Sequence, residues 1–160
     1  LKAVNELLRN PKDITKAVDD LLTKNNALQK QVESLKKAQA KVIKSELKST
    51  IENKGDYSLL TAAVELDAAS VKDILFQLKG EVAHLVAIIG STEDDKCAVS
   101  VFVDDALVGT KNWNAGNIVK AVAAHIQGGG GGQAFFATAG GKNPAGIPTA
   151  IAAAKAMLDA

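Results

Sequence analysis

This sequence is poor in the residues that usually announce chemistry. It holds one cysteine (Cys97), one methionine (Met157), one tryptophan (Trp113) and two histidines (His84 and His125). A lone cysteine excludes a disulfide within the chain and a cysteine-based zinc site, and it fits a reducing, cytoplasmic setting. In a strand pattern it reads as a buried, inert thiol. Neither histidine has a Cys, Asp or Glu at metal-ligand spacing, so both are expected to pack or to face solvent. Ser91, Ser100 and Thr138 lack a base by sequence, so no catalytic residue is expected. The longest strongly apolar run, Leu85-Val86-Ala87-Ile88-Ile89, is far shorter than the ~20 residues of a membrane-spanning helix. No secretory pattern is present. The chain opens with Leu1-Lys2-Ala3-Val4 rather than methionine and is expected to be a piece of a longer protein.

What is present divides in two. Of 160 residues, 47% are hydrophobic, enough for one ordinary domain plus an appendage. The net charge is +1, unevenly spread: residues 1–55 carry 12 Lys and Arg against 7 Asp and Glu, and residues 56–160 carry 7 against 11. A basic segment joined to an acidic remainder points to two units, 1–54 and 55–160, with different partners. Glu93-Asp94-Asp95 and Asp104-Asp105 flank one strand and read as solvated turn residues rather than a cation site.

The first unit carries a heptad. Ile14, Leu21, Leu28, Leu35 and Val42 take d positions, and Val18, Asn25, Val32 and Gln39 take a positions. A 3.5-residue period keeps one seam facing a partner helix, and valine at a, leucine at d and a single asparagine at a favour two strands in fixed register. This predicts a coiled-coil helix over 14–49, ~54 Å long, and a homodimer through Ile14, Val18, Leu21, Asn25, Leu28, Val32, Leu35 and Val42. Asn10-Pro11 supplies a start signal, with Asp13 near the positive helix end, and Gly55 a stop. Val4, Leu7 and Leu8 lie at helical spacing and could fold back, so the seam could be filled in cis or in trans.

From Tyr57 the period changes. Strands are predicted at 57–64, 82–89, 96–103 and 134–138. Helices are predicted at 68–79, from Asn114 or Asn117 through Ile126, and from near Pro148 to Leu158. Gly90 to Asp95 reads as an acidic turn joining a hairpin. The fold class is therefore α/β (α+β): a long helix, then a β-α-β-β-α-β-α sandwich.

The run Gly128-Gly129-Gly130-Gly131-Gly132 ends the Ile118–Ile126 helical pattern, and a second pair, Gly140-Gly141, follows one short apolar strand. Without a Cβ, glycine lets its amide approach a phosphate or another backbone closely. Phe135 and Phe136 between the two runs call for burial, so the stretch reads as a shaped backbone surface rather than a linker. Trp113 lies before a helix start, where it can stack on a base or cover the core.

These residues carry a family resemblance. Ala115-Gly116-Asn117, then His125-Ile126-Gln127 and the five glycines, then Ala139-Gly140-Gly141-Lys142-Asn143-Pro144 resemble the DHH-associated domain. That domain ends alanyl-tRNA synthetases and follows the catalytic part of RecJ-type nucleases and related phosphoesterases. Leu7-Leu8-Arg9-Asn10-Pro11 and the lysine-rich helix after it resemble the linker of the synthetases. The chain departs from the pattern at Gly132-Gln133, where relatives often carry Arg-Pro, which leaves Lys142 as the nearest cation in sequence, and at Pro148, where relatives usually carry a polar helix residue. The resemblance implies a tRNA-binding and dimerising module that carries no cofactor or metal itself. ATP, zinc, aminoacylation and editing would belong to the remaining domains of a whole enzyme. The RNA-binding residues expected are Lys111, Asn112, Trp113, Gly128, Gly129, Gly130, Gly131, Gly132, Gly141, Lys142 and Asn143, acting mainly on phosphates. Two other readings compete: the nucleic-acid-binding tail of a DHH-type phosphoesterase, and a purely structural coiled-coil dimerisation module.

Overall fold

The computed structural model describes residues 1–159 of the chain. It forms two compact units, Leu1–Gln39 and Ala40 onward. The first contains α1 (Lys2–Leu7) and most of α2 (Ile14–Ser49). Asp13 rather than Asn10 starts α2, its Oδ1 accepting from the Lys16 N–H at 2.9 Å. Asn10 instead turns the chain at φ 52° and donates its N–H to the Asn5 carbonyl at 2.7 Å. The heptad forms the helix it predicts, and its seam is open: Val18, Leu21, Leu28, Val32, Leu35 and Val42 are 40% to 69% exposed. The short α1 buries none of its own residues, and Val4 and Leu7 remain exposed, so the fold-back leaves the seam uncovered.

The second unit is built on a six-stranded sheet of order β1-β2-β3-β4-β6-β5. The strands are β1 (Glu52–Asn53), β2 (Ser58–Val64), β3 (Leu85–Glu93), β4 (Lys96–Val103), β5 (Gly129–Gly132) and β6 (Phe136–Gly141). Only β2 and β3 run parallel, which requires a crossover, and α3 (Ala68–Lys79) makes it. Asp67 caps α3 by accepting from the Ser70 N–H, and Val71, Ile74, Leu75 and Leu78 form its buried stripe.

Alternation sorts the core into two layers. Leu60, Ala87, Ile89 and Phe102 face α3 and the last turns of α2, where Ala40, Ile43 and Leu47 pack. Leu59, Val86, Ile88, Val99 and Val101 face the other way, toward α5 (Ala115–Val122) and α6 (Ile147–Asp159). Gly90 lets α6 approach, because a Cβ there would run into the Ile147 side chain. The turns of α2 that belong to this unit are held by two ion pairs, from Lys44 and Lys48 to Glu81, at 2.7 and 3.1 Å. Hydrogen bonds from these two ammonium groups hold the Glu81 carboxyl below the usual carboxylate range.

The long helix followed by a mixed α/β sandwich stands, with four local corrections. The strand placed at 82–89 starts at Leu85 and extends to Glu93. The hairpin therefore turns on Asp94-Asp95 alone, with Asp94 at φ 53°. An additional helix, α4 (Asp105–Lys111), forms on the Asp104 cap, whose side chain accepts from the Ala106 N–H. Gly55 does not end the long helix; it sits at φ 90° in the β1–β2 turn. Four glycines of the run, Gly129–Gly132, form a strand, and the one placed at 134–138 becomes Phe136–Gly141, because Ala134 and Phe135 form the bend between paired strands.

Candidate nucleic-acid interface

Glycine seldom fills a strand, because it has high conformational freedom to lose and no side chain to pack. Here β5 is stabilised by pairing with β6, from Gly129↔Gly140 to Gly132↔Ala137. The spacing of the steric demand is two residues. A Cβ at Gly128 would run into the Gly140 carbonyl, one at Gly130 into the Thr138 carbonyl, and one at Gly132 would lie 2.5 Å from the Phe136 oxygen. Gly129 has open space, and Gly131 meets only the Lys120 Cε at 3.6 Å. Three of the five glycines are thus dictated by the approach of β6, and two are not.

The ladder decides which backbone groups are free. Gln133 donates its N–H to the Phe136 carbonyl at 2.8 Å. In an antiparallel ladder, bonded and non-bonded positions alternate, so Gly131 and Gly129 point their groups at β6 while Gly130 and Gly132 turn theirs away from it. β5 is the terminal strand of the sheet. Its glycines are exposed, except that Gly131 is half-buried beneath Lys120. The outward peptide groups of Gly130 and Gly132 thus have no strand partner, with Lys120 lying over Gly131 between them and the Gly132 oxygen facing Gly116.

Helix α5 lies along this strand. Its start is fixed by Asn114, whose Oδ1 accepts from the Asn117 N–H at 3.1 Å, and by the Ala115 N–H donating to the Ala134 carbonyl at 2.9 Å. Gly116 allows close approach, since a Cβ there would stand 3.0 Å from the Gly132 oxygen. At the other end a 3-10 turn, Ala123–Ile126, receives the second glycine pair. Lys142 and Asn143 both donate their N–H groups to the Ile126 carbonyl at 3.0 Å, and the Asn143 side chain donates to the His125 carbonyl at 3.1 Å. A Cβ at Gly141 would collide with that same Ile126 carbonyl.

The expected RNA-binding residues therefore separate. Gly128 to Gly132, Gly141, Lys142 and Asn143 come together around the β5–β6 edge and the C-terminal end of α5. Lys111, Asn112 and Trp113 precede the N-terminus of α5, at the Gly132 end of β5, whereas Gly141, Lys142 and Asn143 lie at its other end, about 18 Å away along the 115–126 run. Lys111 is engaged by Asp56 at 3.1 Å. Asn112 closes α4 in the left-handed region at φ 55°. Trp113 is half-buried, packs against the core and stands edge-on to Tyr57, with ring centroids 4.9 Å apart at 84°. Lys142 is exposed.

Sequence reasoning passed over Lys120. It follows the apolar stripe of α5 as an ordinary exposed lysine, and only the packing of α5 on β5 sets it over Gly131. It supplies a cation beside the glycine edge. The signal that could have found it is its spacing from Gly116, i and i+4, on the helix face that must approach the strand. The remaining polar residues form no metal centre: among the described residues no three His, Cys, Asp or Glu side chains converge on one point. Among the described residues no helix is long and apolar enough to cross a membrane.

A glycine edge strand flanked by helix ends and lysines distinguishes this α/β unit. The chain belongs to the DHHA1 domain family, whose model matches residues 56–160. It is 41% identical over 158 residues to an alanine–tRNA ligase of Christiangramia forsetii, covering 99% of this chain and 18% of that protein. It is 40% identical over 154 residues to the corresponding ligase of Porphyromonas gingivalis, covering 94% and 17%. The chain thus spans under a fifth of the length of these relatives. Among solved structures it is similar to the C-Ala domain of Aquifex aeolicus alanyl-tRNA synthetase, with TM-score 0.61 and 28% identity over 69% of this chain and 99% of that one. The resemblance read from the glycine and Gly-Gly-Lys-Asn-Pro motifs holds: the chain is homologous to the C-terminal domain of these synthetases. RecJ from Thermus thermophilus shares the fold, with TM-score 0.52 at 12% identity over 95% of this chain and 22% of that one.

Proposed function

We propose that this chain is the tRNA-gripping C-terminal module of an alanine–tRNA ligase, working in the cytoplasm and holding folded RNA for chemistry carried out by the rest of the enzyme. The observation that carries the reading is the exposed glycine edge of β5 beside Lys120 and Lys142, in a chain similar over nearly its whole length to such ligases. Amides of an uncovered strand donate to phosphate oxygens, glycine permits the close approach, and lysines supply the salt-dependent attraction. Aminoacylation, editing, ATP and zinc belong in this reading to other domains. The acidic balance of residues 56–160 makes the attraction local to this edge.

The same reading makes the open seam of α2 a homodimer contact. A stripe of valine and leucine 40% to 69% exposed is a hazard unless covered, and Asn25 within it favours a paired helix in one register.

Titrating a tRNA(Ala) transcript against the 160-residue chain at rising salt tests the proposal. The expected result is binding that weakens linearly in log salt, with no change to the RNA. Absence of binding at low salt overturns it.

A further inference from the structure

One face of α3 is not accounted for by the core or by the glycine edge. Lys72, Phe76 and Lys79, spaced four and three residues apart, share it. The helix buries Val71, Ile74, Leu75 and Leu78 to 3% exposure or less, yet Phe76 is 39% exposed. Its ring is held by three others: edge-on to Phe102 at 6.1 Å and Phe135 at 6.5 Å, and tilted on Phe136 at 5.7 Å. The Lys72 ammonium stands 5.8 Å from the Phe76 centroid and 5.5 Å from that of Phe136, and it forms no ion pair among the described residues. Lys79 stands 6.0 Å over Phe102 and is shared with Asp105 at 3.1 Å.

We propose that Phe76, with Phe135, Phe136 and Lys72, is a stacking platform for an unpaired base of bound RNA. The proposal rests on the tRNA-binding reading and assigns it a second contact, of a different chemistry. A fixed aromatic face beside an unshared cation is the combination that holds single-stranded nucleic acid, the ring taking a base and the ammonium a phosphate. The place is continuous with the first contact, because Phe135 and Phe136 follow Gly132-Gln133-Ala134 directly and lie where the chain bends from the glycine strand into β6. A protein partner fits less well. Among described residues 40–159 the only large apolar side chains left exposed are Val42, Phe76 and Met157, so Phe76 is an isolated ring rather than part of an extended apolar patch.

The test uses the 160-residue chain and its variants Phe76→Leu, Phe76→Trp and Lys72→Gln. The probes are a tRNA(Ala) transcript and a single-stranded oligoribonucleotide carrying 2-aminopurine. Leucine retains most of the apolar volume and removes the ring, and thermal melting checks that each variant folds. Phe76→Leu should weaken both probes about 5- to 150-fold without altering the slope of log affinity against log salt. It should also abolish the 2-aminopurine signal, and Phe76→Trp should restore both. Lys72→Gln should reduce that slope by roughly 0.7 to 0.9. If the parent binds tRNA and Phe76→Leu binds equally well with an unchanged 2-aminopurine signal, the platform is wrong and the tRNA-binding reading survives. If the parent binds neither probe at low salt, both fall.

Discussion

Gly130 lies diagonally across the β5–β6 pair from Thr138, so closely that a single added methyl on the glycine would run into the threonine carbonyl oxygen. Its neighbour Gly129 meets nothing. Gly130→Ala is therefore expected to cost about 1–3 kcal/mol as overpacking that the backbone must absorb, and Gly129→Ala to change stability by no more than about 0.5 kcal/mol. Urea denaturation of the two variants decides the matter, and equal midpoints would refute the steric reading. Gly130→Ala should also weaken tRNA binding, since it displaces the presenting strand.

The lysines should differ in what they lose. Lys120 and Lys142 flank the glycine edge, whereas Lys111 is shared with Asp56 at 3.1 Å. Lys120→Gln and Lys142→Gln should each lower the salt slope of tRNA binding by roughly 0.7 to 0.9. Lys111→Gln should change it by less, and Asp56→Asn should raise affinity at low salt by releasing Lys111. Three equal slopes would mean that the three charges contribute alike.

Trp113 covers the core beside Tyr57. Trp113→Ala should destabilise the α/β unit by about 1–3 kcal/mol, less than a fully buried aromatic would, and Trp113→Phe by less still. Thermal denaturation provides the measure. An unchanged midpoint for the alanine variant would leave the ring free for other work, such as base stacking.

Glu81 gives the end of α2 a pH dependence. Its carboxyl is held below its ordinary value of 4.5 by hydrogen bonds from Lys44 and Lys48. A group with a depressed folded pKa adds stability that is present above the unfolded value and disappears as pH falls through the folded one. Glu81→Gln should therefore melt earlier than the parent at neutral pH, and the two should converge on acidification below the usual carboxylate range. The pair is partly solvent-exposed, so the difference should shrink with added salt. A constant difference across pH would remove Glu81 from the explanation.

The seam of α2 should declare its partner in sedimentation. With Leu28 at 59% and Leu35 at 69% exposure, Leu28→Asp should convert a dimer to a monomer without unfolding the α/β unit. Asn25→Val should stabilise the assembly while relaxing its register. An unaltered mass for Leu28→Asp would dismiss the zipper.

Local pattern was enough to read the periodic elements. The heptad from Ile14 to Val42, the α3 stripe Val71-Ile74-Leu75-Leu78 and the alternation along β4 each repeat with the period of the structure they form, because that period sets which side chains share one face of a helix or strand. The Ala-Gly, glycine-run and Gly-Gly-Lys-Asn-Pro motifs likewise identified the family from chain order alone. What only the tertiary structure decided was the role of residues whose neighbours are distant in sequence. The five glycines carry no strand signal, because glycine by itself prefers no strand; Gly129–Gly132 become one because β6 offers hydrogen bonds and leaves no room for a Cβ at alternate positions. Lys120 becomes a neighbour of Gly131, Lys111 a partner of Asp56, and Phe76 the centre of a cluster of rings, through packing across gaps of 11 to 60 residues. A one-dimensional period records which residues share a face of an element, but not what lies against that face.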